Sequence, residues 1–141
     1  MTEHDSTTVA HAFADMMNAH DPTRVDRIVA PDYINHNPMV ADGREANREF
    51  WERWFAAFPD TRVEVEDVVT DADRVVGRFT YRATHTGSLM GERPTGRHVE
   101  MRSIDIWRVR AGLAVEHWDE LNTLEAFTQI GLATWSGPGS R

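Results

Sequence analysis

The chain contains no cysteine and no lysine. Without cysteine it has neither a disulfide framework nor a thiol nucleophile. Without lysine it has no amine that could form a Schiff base with a carbonyl substrate. All 15 basic residues are arginine, set against 23 acidic ones, for a formal net charge of −8. A surplus of that sign argues against a nucleic-acid or anionic-membrane binder, since both need a basic surface. No hydrophobic run is long enough to span a bilayer. The polar, acidic start Met1-Thr-Glu-His-Asp-Ser6 has neither the basic nor the apolar region of a signal peptide, so a cytoplasmic location is expected. Gly87, Gly91 and Gly96 are spread over one loop instead of gathered between a strand and a helix, so there is no phosphate-cradling loop.

What is present suits a single domain: 141 residues, 40% of them hydrophobic, with no internal repeat. The domain is expected over residues 1–135, with Ser136-Gly-Pro-Gly-Ser-Arg141 a disordered tail. The first half reads as helical. Val9, Ala12, Phe13, Met16 and Met17 recur at helical spacing over residues 6–18, with Ser6 to Thr8 placed to cap the start. A short helix is expected over residues 23–29, then an irregular stretch over 30–38, rich in amide and imidazole groups. A further helix over 43–58 carries Ala46, Phe50, Trp54 and Phe58 at intervals of four, with Trp51 and Phe55 widening the stripe. The second half reads as four strands, over 62–70, 74–86, 97–110 and 113–120, closed by a helix near 123–130. Helices followed by an antiparallel meander give an α+β fold, with a curved sheet packed by N-terminal helices around a concave ligand pocket.

Two of these strands carry chemistry. Alternation puts Ser103, Asp105, Trp107 and Val109 on one face of the third strand, and Val115, His117 and Asp119 on one face of the fourth. A three-residue loop, Arg110-Ala-Gly112, would pair residue 109 with 113, hence Trp107 with Val115, Asp105 with His117 and Ser103 with Asp119. A two-residue loop would slip the pairing by one and mismatch the faces.

The runs Phe58-Pro-Asp60, Thr84-His-Thr-Gly87 and Pro94-Thr-Gly-Arg97, and above all Ile104-Asp-Ile-Trp-Arg108 with Val115-Glu-His-Trp-Asp119, resemble the SnoaL-like polyketide cyclase family of the nuclear-transport-factor-2-like superfamily. The resemblance extends roughly over residues 6–130. It implies a cone-shaped α+β barrel with a hydrophobic cavity at its open end, commonly in dimers or higher assemblies. It also implies intramolecular aldol closure of an aromatic polyketide without a cofactor, although relatives on this fold isomerise, hydrolyse or only bind. By position, Asp119 matches the family's general acid/base, His117 the histidine two residues before it, and Asn35 a cavity-lining segment. The cyclases carry a histidine near the position of Asp105, so a carboxylate there changes the proton inventory.

The expected catalytic set is therefore Asp119 as general acid/base, His117 as its partner and Asp105 orienting His117. Asn35, Trp107, Phe79, Ser103 and Trp54 are expected to contact substrate. A carboxylate in an apolar pocket has its pKa raised toward working pH, which suits taking a proton alpha to a carbonyl and delivering one to an alkoxide. Asp105 has a structural alternative, pairing with an arginine such as Arg78. Asn37, before Pro38, reads as a turn former. His85 and His98 read as exposed strand-end residues. His117-Trp-Asp119 could begin a two-histidine, one-carboxylate iron site, but no histidine follows His117, so no metal and no cofactor are expected. The expected partners are a small apolar or aromatic ligand and further copies of the chain, as a homodimer or higher homo-oligomer. Isomerisation, hydration or hydrolysis on the same fold, and non-catalytic ligand binding, are the alternatives.

Overall fold

The computed structural model describes residues 3–138, with side chains from Val9 onward in the first helix. Of the expected tail, residues 139–141 lie outside the described part, while the Trp135 indole nitrogen donates to the Pro138 carbonyl at 3.3 Å.

The first helix, α1 (Glu3–Ala19), begins ahead of the expected Ser6–Thr8 cap. Val9, Ala10, Phe13, Ala14, Met16 and Met17 form its buried stripe. His20 ends it in the left-handed region (φ 55°), and its imidazole meets the Thr61 carbonyl at 2.7 Å. Asp21 then caps a 3-10 turn, Pro22–Arg27, by accepting from the Thr23 amide at 3.1 Å, with Pro22 in the first turn, where its missing N–H costs nothing. The helix α2 (Arg44–Ala57) lays Asn47, Trp51, Trp54 and Phe55 against the interior, and Phe58 follows at its C-cap. A third helix, α3 (Thr123–Gln129), closes the domain.

Five strands form one sheet, β1 (Val29–Asn35), β2 (Arg62–Asp71), β3 (Arg74–Thr84), β4 (His98–Arg110) and β5 (Leu113–Leu121), in the order β1-β5-β4-β3-β2. The segment expected to be irregular is thus a strand, and it runs parallel to β5, so the sheet is mixed and not a four-stranded meander. Pro31 explains both the misreading and the placement: it cannot donate to a ladder and is tolerated on an edge strand, which β1 is. The ladder shifts register between Val29 and Ile34, then sets Asn35 beside His117. β1 and β2 do not pair, so the sheet curves without closing into the barrel that the resemblance implied.

The helices cover one face of this sheet. The core beneath them joins Phe13, Phe79 and Trp107, whose rings contact one another at 5.2–6.0 Å. Phe79 is fully buried; losing such a side chain to alanine costs about 3–5 kcal/mol. No helix among the described residues is long and apolar enough to cross a membrane.

Candidate active site

The turn between β4 and β5 decides which inner-face residues meet. It has two residues, Ala111 and Gly112, with φ of 52° and 79°, the double positive that a type I′ turn requires, and Arg110 faces Leu113 across it. Alone, this turn would send the inner residues of β5 to the outer face. A bulge restores them: Arg108 faces Glu116 and Val109 faces Ala114, leaving Val115 without a cross-strand partner. The register consequently differs from the expected one. Asp105 faces Asp119, Trp107 faces His117, and Ser103 faces Leu121.

Asp105 and His117 still meet, on the diagonal. His117 Nε2 lies 2.8 Å from Asp105 Oδ1, and Ser103 Oγ donates to Asp105 Oδ2 at 2.6 Å. Since the Ser103 proton is committed to Asp105, the Tyr81 hydroxyl donates to Ser103 Oγ, at 2.9 Å. Arg78 plays no part here: it turns outward to Asp67 at 2.6 Å. On its other side His117 Nδ1 lies 3.0 Å from Asn35 Oδ1. That oxygen also accepts the Asn37 backbone N–H at 3.0 Å, which fixes the amide's orientation and makes Nδ1 the donor. His117 is therefore held at both ring nitrogens, Nδ1 by Asn35 and Nε2 by Asp105. Its ring lies between Tyr33 (6.1 Å between centroids) and Trp107 (5.3 Å), both nearly parallel to it. Two aromatic faces favour positive charge on the imidazole between them.

Asp119 stands beside this chain, its Oδ2 4.0 Å from His117 Nε2. Asn37 Nδ2 donates to both carboxylate oxygens, at 3.0 and 3.1 Å. Burial raises the Asp119 pKa above the ordinary carboxylate value; the Asn37 bond and the nearby His117 charge pull the other way, and Asp105 adds to the rise. Burial, reinforced by the charge of Asp105, also holds the Tyr33 and Tyr81 hydroxyls protonated well past the usual tyrosine range.

These groups open on a cavity of about 570 Å³ between α2, α3 and the inner sheet face. Asn35, Trp54, Trp107, Asp105, His117 and Asp119 line it. Phe79 and Ser103 do not: Phe79 packs behind Trp107, and Ser103 is held behind Asp105 by its hydrogen bonds. His36 points away, bonding Glu116 at 2.8 Å and stacking on Trp118. His85, expected at the surface, is fully buried beside Phe58 and accepts the Thr95 amide at its Nδ1 (3.3 Å). His98 is exposed, as expected.

Among the lining residues that sequence reasoning missed are Asn37, Tyr33, Tyr81 and Asn47. Asn37 is both turn former and site residue, because its Oδ1 accepts the Met39 amide (2.8 Å) while its Nδ2 reaches Asp119. Tyr33 and Tyr81 carried only the signal of strand alternation. Asn47 lies four residues before Trp51 and seven before Trp54, on the buried stripe, so helical spacing could have found it. Asp105, His117 and Asp119 offer ligand atoms within 4.8 Å of one another, and could hold a metal ion only by giving up the Nε2–Asp105 hydrogen bond.

Most of the chain superposes on solved structures. TsrD from Streptomyces laurentii matches with a TM-score of 0.85 and 29% identity, over 94% of this chain and 98% of that one. AclR from Streptomyces galilaeus, described as a proposed hydroxylase, matches at 0.84 and 26%, over 97% and 91%. IdmH from Streptomyces antibioticus, described as a proposed polyketide cyclase, matches at 0.75 and 30%, over 89% and 98%. Among curated protein sequences none matches. The sequence pattern of the SnoaL-like polyketide cyclases fits residues 7–130, nearly the whole length of the described fold. The chain belongs to the SnoaL-like polyketide cyclase family.

Proposed function

We propose that the protein is a cofactor-independent acid–base enzyme that closes a ring by intramolecular aldol addition in a mid-sized, mostly apolar carbonyl compound. The observation that carries this reading is Asp119, which borders a cavity of drug-molecule size with its pKa raised by burial. Asp119 takes a proton from the carbon alpha to a ketone. The enolate oxygen accepts a hydrogen bond from Asn35 Nδ2, which has no partner among the described residues. The enolate carbon attacks a second carbonyl of the same molecule, and the alkoxide recovers the proton from Asp119. His117, fixed by Asp105, Asn35 and two aromatic rings, holds positive charge beside the carboxylate during the first transfer. The same enolate would serve an isomerase.

A polyketide as substrate agrees with the family and with the 30%-identical IdmH, described as a proposed cyclase. The assembly is proposed as a homodimer through the uncovered sheet face, where Val69, Val76, Ile106 and Trp118 form one cross-strand row and Ile104, 51% exposed, lies beside it.

The test is turnover of a cyclisable polyketone by Asp119→Asn. The rate falls by about 10²–10⁴-fold, the usual worth of a positioned acid–base group, while ligand still quenches tryptophan fluorescence. A variant as fast as the parent sinks the assignment.

A further inference from the structure

Among the described residues, charged side chains line the cavity in two places only. One is the cluster of Asp105, His117 and Asp119, and the other is Arg53. Arg53 lies on the exposed side of α2, where Phe50 and residues 88–91 of the β3–β4 loop border the same opening. Four arginines of the outer sheet face are neutralised: Arg78 by Asp67, Arg82 by Glu64, Arg102 by Glu125 and Arg108 by Glu116. On α2 itself, Arg48 is held by Asp26 and Glu45. Arg53 has neither an ion pair nor a hydrogen bond among the described residues, in a chain whose acids outnumber its arginines 23 to 15.

We propose that Arg53 receives a carboxylate of the ligand at the cavity mouth, and so fixes which end of the molecule enters first. The inference rests on the proposed carbonyl chemistry at Asp119 and adds the class of substrate: an aromatic keto acid. A guanidinium offers a planar fork of N–H donors that matches a carboxylate. Phe50, Leu89 and Met90, which line the same cavity, leave Arg53 the cationic group of that part of the wall. The other charged place repels an anion, because two carboxylates face each other there, Asp105 and Asp119. That pair lies well along the sheet, since Asp105 is seven residues into β4, whereas the loop that shares the rim with Arg53 ends where β4 begins. Attraction at the rim and repulsion inside thus select one orientation, with the acid outward and the ketone at Asp119.

Tryptophan quenching by an acetyl-substituted naphthoic acid and by its methyl ester tests this on the intact protein. The acid binds about three- to fivefold more tightly at low salt, the scale of an exposed ion pair. The preference shrinks as salt rises. Arg53→Gln binds acid and ester alike, and Arg53→Glu prefers the ester. An acid bound no better than its ester, or a preference that survives Arg53→Gln, overturns the proposal. Asp119→Asn leaves the preference in place, so its loss in Arg53→Gln speaks to the anion alone and its persistence in Asp119→Asn is independent of turnover.

Discussion

Asn37 shows how one side chain can serve structure and chemistry together. Its oxygen closes the turn on Met39 while its nitrogen donates to Asp119. Burial raises the Asp119 pKa and Asn37 opposes that rise. Asn37→Leu removes the opposition, so the acidic limb of the kcat/KM profile moves to higher pH; a limb that stays in place or moves down refutes the assignment. Asp119 also ties activity to stability. A group whose native pKa lies above its unfolded value binds its proton more tightly when folded. Its favourable contribution is complete below the ordinary value of 3.8 and is lost as pH rises through the native value. At neutral pH the charged Asp119 is a net cost, so Asp119→Asn is expected to raise the urea midpoint there, and the gain to vanish below pH 3.8. A lowered midpoint at neutral pH would show that the carboxylate is structural. Asp105, His117, Asp119 and Asn35 were all legible as candidates from residue type and strand face. Asn37 was not, because an asparagine before proline is most simply a turn residue.

Among the elements, the β4–β5 hairpin carries the site, and its two irregularities cancel. The two-residue turn shifts the faces by one and the bulge at Val115 shifts them back. Alternation along each strand was therefore readable, but the pairing across them was not, since a bulge leaves no periodic mark in sequence. Ala111 holds a left-handed φ of 52°, where a Cβ is strained and asparagine is better tolerated. Ala111→Asn should stabilise the protein by about 0.5–1 kcal/mol, seen as a rise in Tm of about 2–4 °C. An unchanged or lower Tm would mean that the turn is not held as described. β1 illustrates the opposite failure. Its Pro31 and asparagines favour loops locally, yet the edge it occupies tolerates proline, and parallel pairing with β5 brings Asn35 to His117.

For the whole molecule, helices cover one face of a curved sheet and leave the other bare. Across four strands the bare face carries the row Val69, Val76, Ile106 and Trp118, with Val69 60% and Ile104 51% exposed. Apolar surface of that continuity suits a symmetric contact with a second copy. Light scattering is expected to give about twice the 16.1 kDa chain mass, and Ile104→Glu to return it to that of one chain. A wild-type mass of 16.1 kDa would rule the dimer out. The cavity lies on the opposite, helix-covered side of the sheet.

The sequence by itself determined the classes that missing cysteine and lysine exclude, the α+β order of elements, the family, and the inner-face identity of Asp105, His117 and Asp119. These follow from composition and from spacing along the chain, which are local properties. Only the tertiary structure decided that Asp105 faces Asp119 and reaches His117 diagonally, that Asn37 binds Asp119, and that Phe79 and Ser103 stand behind the cavity wall. Those outcomes depend on a turn, a bulge and a parallel strand acting together across more than eighty residues, from Asn35 to His117. No local window contains that coupling; it exists only once the sheet has formed.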